Sequence, residues 1–161
     1  MREKILSLEV LAKKVSKFKE NGETVVQCHG CFDVLHFGHL RHFSEAKKHA
    51  NYLVVTVTPD KFINKGPDRP IFEIAHRVEL IAGLEVVDFV AINRWETSIE
   101  TLELIKPNYY AKGSEYENPD QNVNPNFFLE KDKLESHGGK MVFTYEETSS
   151  SSWVAEKIKN L

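Results

Sequence analysis

Twelve residues, CHGCFDVLHFGH (28–39), bring together two cysteines, three histidines, one aspartate and two glycines. Three chemistries use such residues. A redox pair would be Cys28 and Cys31 at C-x-x-C spacing, but that chemistry starts a helix just past a strand. Cys28 instead falls inside the strand expected at TVVQCH (24–29). A structural zinc site needs four ligands, commonly two separated pairs. The chain has no second cysteine pair, and strand alternation sends Cys28 and His29 to opposite faces. A grip for phosphate fits the order of residues better. The strand ends near His29, Gly30 allows a turn, and a helix opens at Phe37-Gly38. Free backbone N–H groups and the positive end of the helix dipole then converge on one spot. Gly38 leaves room for a phosphate to approach the backbone. His36 and His39 are three residues apart at that helix start, so they share a face from which imidazoles can donate to phosphoryl oxygens.

The surrounding pattern supplies elements to hold such a site. Leu8, Leu11, Val15 and Phe18 recur at helical spacing, and Asn21-Gly22 ends that helix, so residues 1–22 read as an N-terminal helical segment. Strands are expected at 24–29, 52–58, 88–93, 108–112 and 140–145. Helices are expected at 40–49, 72–82, 98–105 and 127–137, with a last one starting near Ser151. Alternation without a hairpin signal predicts a doubly wound, five-stranded parallel sheet with helices on both faces. Ligands in such sheets bind at the carboxyl ends of the strands, at the switch point. The segment SEYENPDQNVNPN (114–126) is polar and reads as a long loop.

The totals set the frame. A chain of 161 residues suits one compact domain spanning 1–161. Its net charge of −3 argues against a broad basic surface for nucleic acid. No apolar run reaches membrane-spanning length, and MREKILSLEV lacks the apolar core of a signal peptide. The expectation is a cytoplasmic protein with reduced thiols.

GCFDVLHFGH (30–39) resembles the signature of nucleotidyltransferases that carry an H-x-G-H motif on a Rossmann-like α/β fold. The likeness covers about 24 to 160. Class I aminoacyl-tRNA synthetases share a similar motif but need a late K-M-S-K-S loop, and the nearest match, KVSK (14–17), precedes the motif. NKGPDRP (64–70), AKGSEY (111–116) and TSSSSW (148–153) are similar to segments of heptose-1-phosphate adenylyltransferases. Glycerol-3-phosphate cytidylyltransferases share the first and last motifs but typically place an Arg before the serines, where this chain has Glu146-Glu147. The heptose branch is therefore favoured, with CTP-dependent transfer to a small alcohol phosphate as the runner-up and a non-catalytic nucleotide-binding module as a rival of another class.

The resemblance implies an NTP and a sugar phosphate as substrates, pyrophosphate as a product, Mg²⁺ as cofactor and a homodimer. It assigns His36 and His39 to the α- and β-phosphates and Lys65 to the charge on the reacting phosphates. Arg77 and Ser151 would hold the triphosphate, supported by Ser150 and Ser152. Gly30, Cys31, Phe32, Gly38 and Gly113 would line the nucleotide site, and Lys112 and Glu115 would face the nucleotide or the acceptor. Asp33 has two readings: it approaches Mg²⁺, or it fixes its loop by accepting backbone N–H bonds. Taken singly, Lys65, Arg77 and Lys112 read as surface side chains and TSSSSW as a linker.

Overall fold

A computed structural model describes residues 1–118 and 125–145, together with Ile158. Its centre is built from β-branched runs. Strand β2 (Val25–Gly30) and strand β3 (Tyr52–Val57) pair in parallel, with Cys28 opposite Val55 and His29 opposite Thr56. All but the first residue of β3 are buried, as expected of a sheet covered on both faces. Strand β4 (Phe89–Ile92) extends the sheet beyond β3, and β5 (Tyr109–Gly113) and β6 (Lys140–Thr144) extend it beyond β2.

The sheet has six strands among the described residues, one more than expected from the sequence. The extra strand, β1 (Ile5–Leu6), pairs with β4 through Ile5 opposite Val90. Two residues are too short to leave a period in the sequence. The N-terminal segment is thus not one helix over 1–22. A 3-10 turn at Arg2–Lys4 and strand β1 precede helix α1 (Leu8–Glu20), whose N-cap Ser7 accepts from the Val10 N–H. The strand order β1-β4-β3-β2-β5-β6 makes β2 the strand from which the chain first runs one way, then crosses to the other side. The crevice at the carboxyl ends of β2 and β5 is the switch point.

Helices α2 (Phe37–Lys47) and α3 (Ile74–Ala82) cover one face, where Val26, Cys28, Phe43, Val55 and Ile81 form the larger core. On the other face α1 packs Leu8, Leu11 and Val15 against Val25 and Val54. Helices α4 (Ile99–Ile105) and α5 (Pro125–Glu135) meet there around Leu102, Tyr110 and Leu134. The expected long loop opens with a 3-10 turn, Ser114–Tyr116, and α5 already begins at Pro125. The expected last helix from Ser151 lies outside the described residues, as do Ser150, Ser151, Ser152, Glu146 and Glu147.

Candidate active site

His36 is the N-cap of α2, and its Nδ1 accepts the Gly38 N–H at 3.1 Å. His39 Nδ1 reaches back to accept the His36 N–H at 3.4 Å. The two side chains form a reciprocal capping box made of imidazoles. Because both Nδ1 atoms accept, the ring proton of each neutral histidine belongs on Nε2. The rings stack with centroids 3.8 Å apart. Each therefore presents an N–H donor beside the N–H groups of the helix terminus.

Packing beneath the pair fixes it. Phe32 meets His39 edge-on at 5.4 Å and Phe43 at 5.0 Å. Phe32 has φ 49 and is 8% exposed, so its ring turns into the core. Gly30 makes this possible, since a Cβ there would lie 3.0 Å from Phe32 Cζ. Phe32, expected at the nucleotide site, packs its side chain beneath His39. Val34, at φ 53, is a β-branched residue in the left-handed region, a local strain of the kind that gathers at functional loops.

Burial holds His39 down to about 3, with His36, His42 and Lys65 adding to the effect. Burial and then Lys65 also lower His36. Burial pushes the Cys31 thiol up, against the pull of Lys65. Exposed Lys65 thus acts electrostatically on His36, His39 and Cys31 from the loop after β3. The histidine pair is neutral at physiological pH and donates without carrying charge.

Asp33 takes the loop-fixing role. It is 1% exposed, and its carboxylate accepts from Arg69 at 2.9 Å, from the Ile71 N–H at 3.0 Å and from the Phe72 N–H at 3.1 Å. Burial alone would raise this carboxyl, but those donors outweigh it and the pKa lies below the usual carboxylate value. Both oxygens are engaged, so Asp33 does not fit as a magnesium ligand. Among the described residues no group of three His, Cys, Asp or Glu side chains is placed to hold a metal ion.

Two residues expected to contact ligand are engaged by protein groups in this structure. Arg77 is 1% exposed and faces protein. Its Nε donates to Phe72 O at 2.9 Å and its terminal nitrogens donate to Thr58 O at 2.9 Å, to Asp60 Oδ1 at 2.5 Å and to Cys31 O. It clamps the loops after β2 and β3 to the start of α3. Lys112 points to the opposite face of the sheet, where Nζ lies 2.7 Å from Glu130 Oε2 and over the rings of Tyr110 and Tyr116. Burial would lower its pKa, but the contacts with Tyr110 and Glu130 raise it, so it stays charged. An alternating strand sends Lys112 and Gly113 to opposite faces.

Glu115 remains on the side of α2. Its carboxylate folds over Gly113, where a Cβ would lie 2.1 Å from Glu115 Oε2. Its charge acts on His42, whose Nδ1 lies 2.7 Å from Thr144 Oγ1 and whose pKa burial lowers to about 4. His42 was not among the sequence candidates, although it follows His39 by one helical turn. Asp60, Arg69 and Glu130 were also missed, since nothing in the sequence links them to partners far along the chain. Cys28, the other half of the C-x-x-C spacing, is buried in the core of the α2 face.

The site therefore brings His36, His39 and the α2 N-terminus together, with Lys65 and Glu115 nearby. Neutral donors, a helix dipole and a flexible cation converge where charge on a phosphoryl group would develop. With the switch-point crevice, this arrangement suits a phosphorylated ligand at the carboxyl ends of the strands. The chain belongs to the cytidylyltransferase-like family, whose model matches residues 27–152. It is 33% identical to the bifunctional protein HldE of Geotalea uraniireducens over 97% of this chain and 31% of that protein. It is 35% identical to bifunctional protein HldE of Azotobacter vinelandii over 96% of this chain and 32% of that protein. The chain thus spans less than two thirds of the length of these curated relatives. A lipopolysaccharide core biosynthesis protein from Thermoplasma volcanium superposes with a TM-score of 0.62 at 27% identity, covering 80% of this chain and 100% of that one. Pantoate-beta-alanine ligase from Francisella tularensis shares the fold, with a TM-score of 0.62 at 15% identity, over 98% of this chain and 72% of that one.

Proposed function

We propose that this nucleotidyltransferase joins ATP to a sugar 1-phosphate, a heptose 1-phosphate in the first instance, and releases pyrophosphate. The observation that carries the reading is the pair of neutral Nε2–H donors of His36 and His39 at the start of α2, within the field of Lys65. A phosphate monoester has a second pKa of about 6, so the acceptor is already largely dianionic at neutral pH. An acceptor oxygen attacks the α-phosphorus, the bond to the bridging oxygen breaks, and pyrophosphate leaves with those electrons. No general base is required. The protein's part is in-line placement and stabilisation of charge on the α- and β-phosphates.

His36 and His39 donate to those oxygens, and Lys65 neutralises charge as the leaving group forms. Magnesium enters as part of the nucleotide substrate, held by its phosphates and water. The match to about one third of a relative called bifunctional supports one activity of two for this chain. The likeness to a lipopolysaccharide core biosynthesis protein supports a saccharide acceptor. NKGPDRP, AKGSEY and the Glu146-Glu147 pair favour ATP over CTP on resemblance alone. The test is pyrophosphate release with each of four NTPs against heptose 1-phosphate, other sugar 1-phosphates and glycerol 3-phosphate. Turnover with ATP and a sugar 1-phosphate supports the reading. Turnover with CTP and glycerol 3-phosphate only would replace it with the runner-up.

A further inference from the structure

Three histidines step along α2 at three-residue spacing. His36 and His39 stand at its start, and the half-buried His42 follows one turn later. His42 Nδ1 lies 2.7 Å from Thr144 Oγ1, and the Thr144 hydroxyl donates to Lys112 O at 3.3 Å. With its one hydrogen directed to Lys112 O, Thr144 Oγ1 receives His42 as an acceptor, so the His42 proton is on Nδ1. Thr144 is buried, ends β6 and pairs with Gly113 of β5 in the ladder. One imidazole thus joins α2 to the carboxyl ends of two strands.

Those elements carry two sides of the switch-point crevice. Helix α2 carries the phosphate grip of His36 and His39. The end of β5 carries Gly113 with the Glu115 carboxylate folded over it. Phe43 and Ala46 hold α2 against the sheet by apolar contact. Such contact is non-directional and leaves the helix free to slide. The His42–Thr144 hydrogen bond has a set length and direction, so it fixes where α2 stands relative to β5 and β6. Burial holds His42 down to about 4, so the imidazole is neutral and the bond is the same across physiological pH.

We infer that His42 is a positioning residue: through Thr144 it sets the distance between the histidine pair and the Gly113–Glu115 edge, and with it the fit of the nucleotide between them. The inference rests on the nucleotidyltransferase reading above and adds a residue that acts on the site without touching substrate. It holds for whichever base and acceptor the protein uses.

The experiment uses the full chain with Mg²⁺ and the NTP and acceptor that wild type turns over fastest. Steady-state constants and urea midpoints are measured for wild type, His42→Leu, His42→Asn, Thr144→Val and the double variant His42→Leu with Thr144→Val. In His42→Leu and in Thr144→Val the KM for the nucleotide should rise about tenfold or more, while kcat stays within about threefold. The double variant should stay within about twofold of either single variant, because both remove one contact. His42→Asn, whose amide N–H can take the place of Nδ1–H, should recover most of the wild-type KM. A merely structural role would lower the urea midpoint and the amount of active protein without moving KM. An unchanged KM in Thr144→Val, losses that multiply in the double variant, or His42→Asn no better than His42→Leu overturns the inference and leaves the proposed function standing. If His42→Leu does not fold, Thr144→Val and His42→Asn decide by the same readings. Absence of wild-type pyrophosphate release with every NTP overturns the proposed function, and the inference falls with it.

Discussion

Asp33 and Arg69 meet at 2.9 Å across the loops that follow β2 and β3, with the Asp33 side chain fully withdrawn from solvent. Arg69, Ile71 and Phe72 all donate to that carboxylate, which ties the H-x-G-H loop to the segment carrying Lys65. Asp33→Ala should therefore lower turnover about 10–100-fold through misplaced Lys65, with little loss of helix by circular dichroism. Adding Arg69→Ala should cost much less than its own single effect, because the two act as one unit. Additive losses would disconnect the pair from Lys65. The lowered Asp33 pKa gives its stabilisation a direction: present above the ordinary carboxylate pKa, lost as pH falls through the lowered folded value.

His36→Ala and His39→Ala should each cut kcat by about 10²–10⁴ with a smaller change in nucleotide affinity, since their contacts strengthen as charge builds in the transition state. Cys28→Ser and Cys31→Ser should keep most turnover. Pre-steady-state nucleotide binding and steady-state pyrophosphate release separate the two quantities. A cysteine variant as inactive as the histidine variants would overturn the phosphate assignment.

Acid should unfold the protein through its histidines. His29, His39 and His42 are held to about 3, about 3 and about 4, chiefly by burial. Unfolded histidines bind a proton near pH 6.5, so below that pH the unfolded chain binds more protons than the folded one. Stability should be flat above about pH 6.5 and fall continuously toward pH 4. Urea midpoints across pH 4–8 check the slope. His42→Gln should make the decline shallower, and an unchanged slope would remove His42 from the account.

The sequence carried the helix and strand order well because both faces of the sheet are buried. YLVVTVT (52–58) and TVVQCH (24–29) read as strands without knowledge of their partners, and Leu8, Leu11 and Val15 read as one helical stripe. It carried the placement of His36 and His39 because the site is local: strand, turn and helix start are contiguous. What it did not carry depends on contacts between distant segments. Arg77 as a clamp requires Cys31, Thr58, Asp60 and Phe72 to meet, and Lys112 as a buried ion requires Glu130 on α5. The inward turn of Phe32 follows from a positive φ that its side chain gives no reason to expect.

Arg77→Met should destabilise the fold by about 3 kcal/mol or more, because it leaves Asp60 and three loop carbonyls without their donor. Arg77→Lys should recover little, since one ammonium cannot reproduce the planar fork. Chemical denaturation measures the loss. Unchanged stability together with weakened nucleotide binding would return Arg77 to the triphosphate.

Glu130→Ala should cost about 3–5 kcal/mol by leaving the Lys112 ammonium buried without its partner. Lys112→Met combined with Glu130→Leu should cost much less than Glu130→Ala alone, since both charges leave together. A double variant as unstable as Glu130→Ala would mean that Lys112 is held by its two tyrosine contacts more than by the ion pair.

Gly113→Ala separates the placement of Glu115 from the stability of the sheet. The new Cβ would overlap the Glu115 carboxylate, the far end of a flexible side chain, while the backbone at Gly113 has an ordinary negative φ. The chain can relieve the overlap by swinging Glu115 away, so the thermal midpoint should change little. Glu115 would leave its position over Gly113 near His42 on the side of α2. If that carboxylate contacts bound nucleotide, Gly113→Ala and Glu115→Gln should weaken nucleotide binding to a similar degree, and the double variant should be no worse than either. Calorimetric titration of ATP into the three variants decides it. Wild-type affinity in Gly113→Ala with a stable fold would place Glu115 outside the nucleotide contacts.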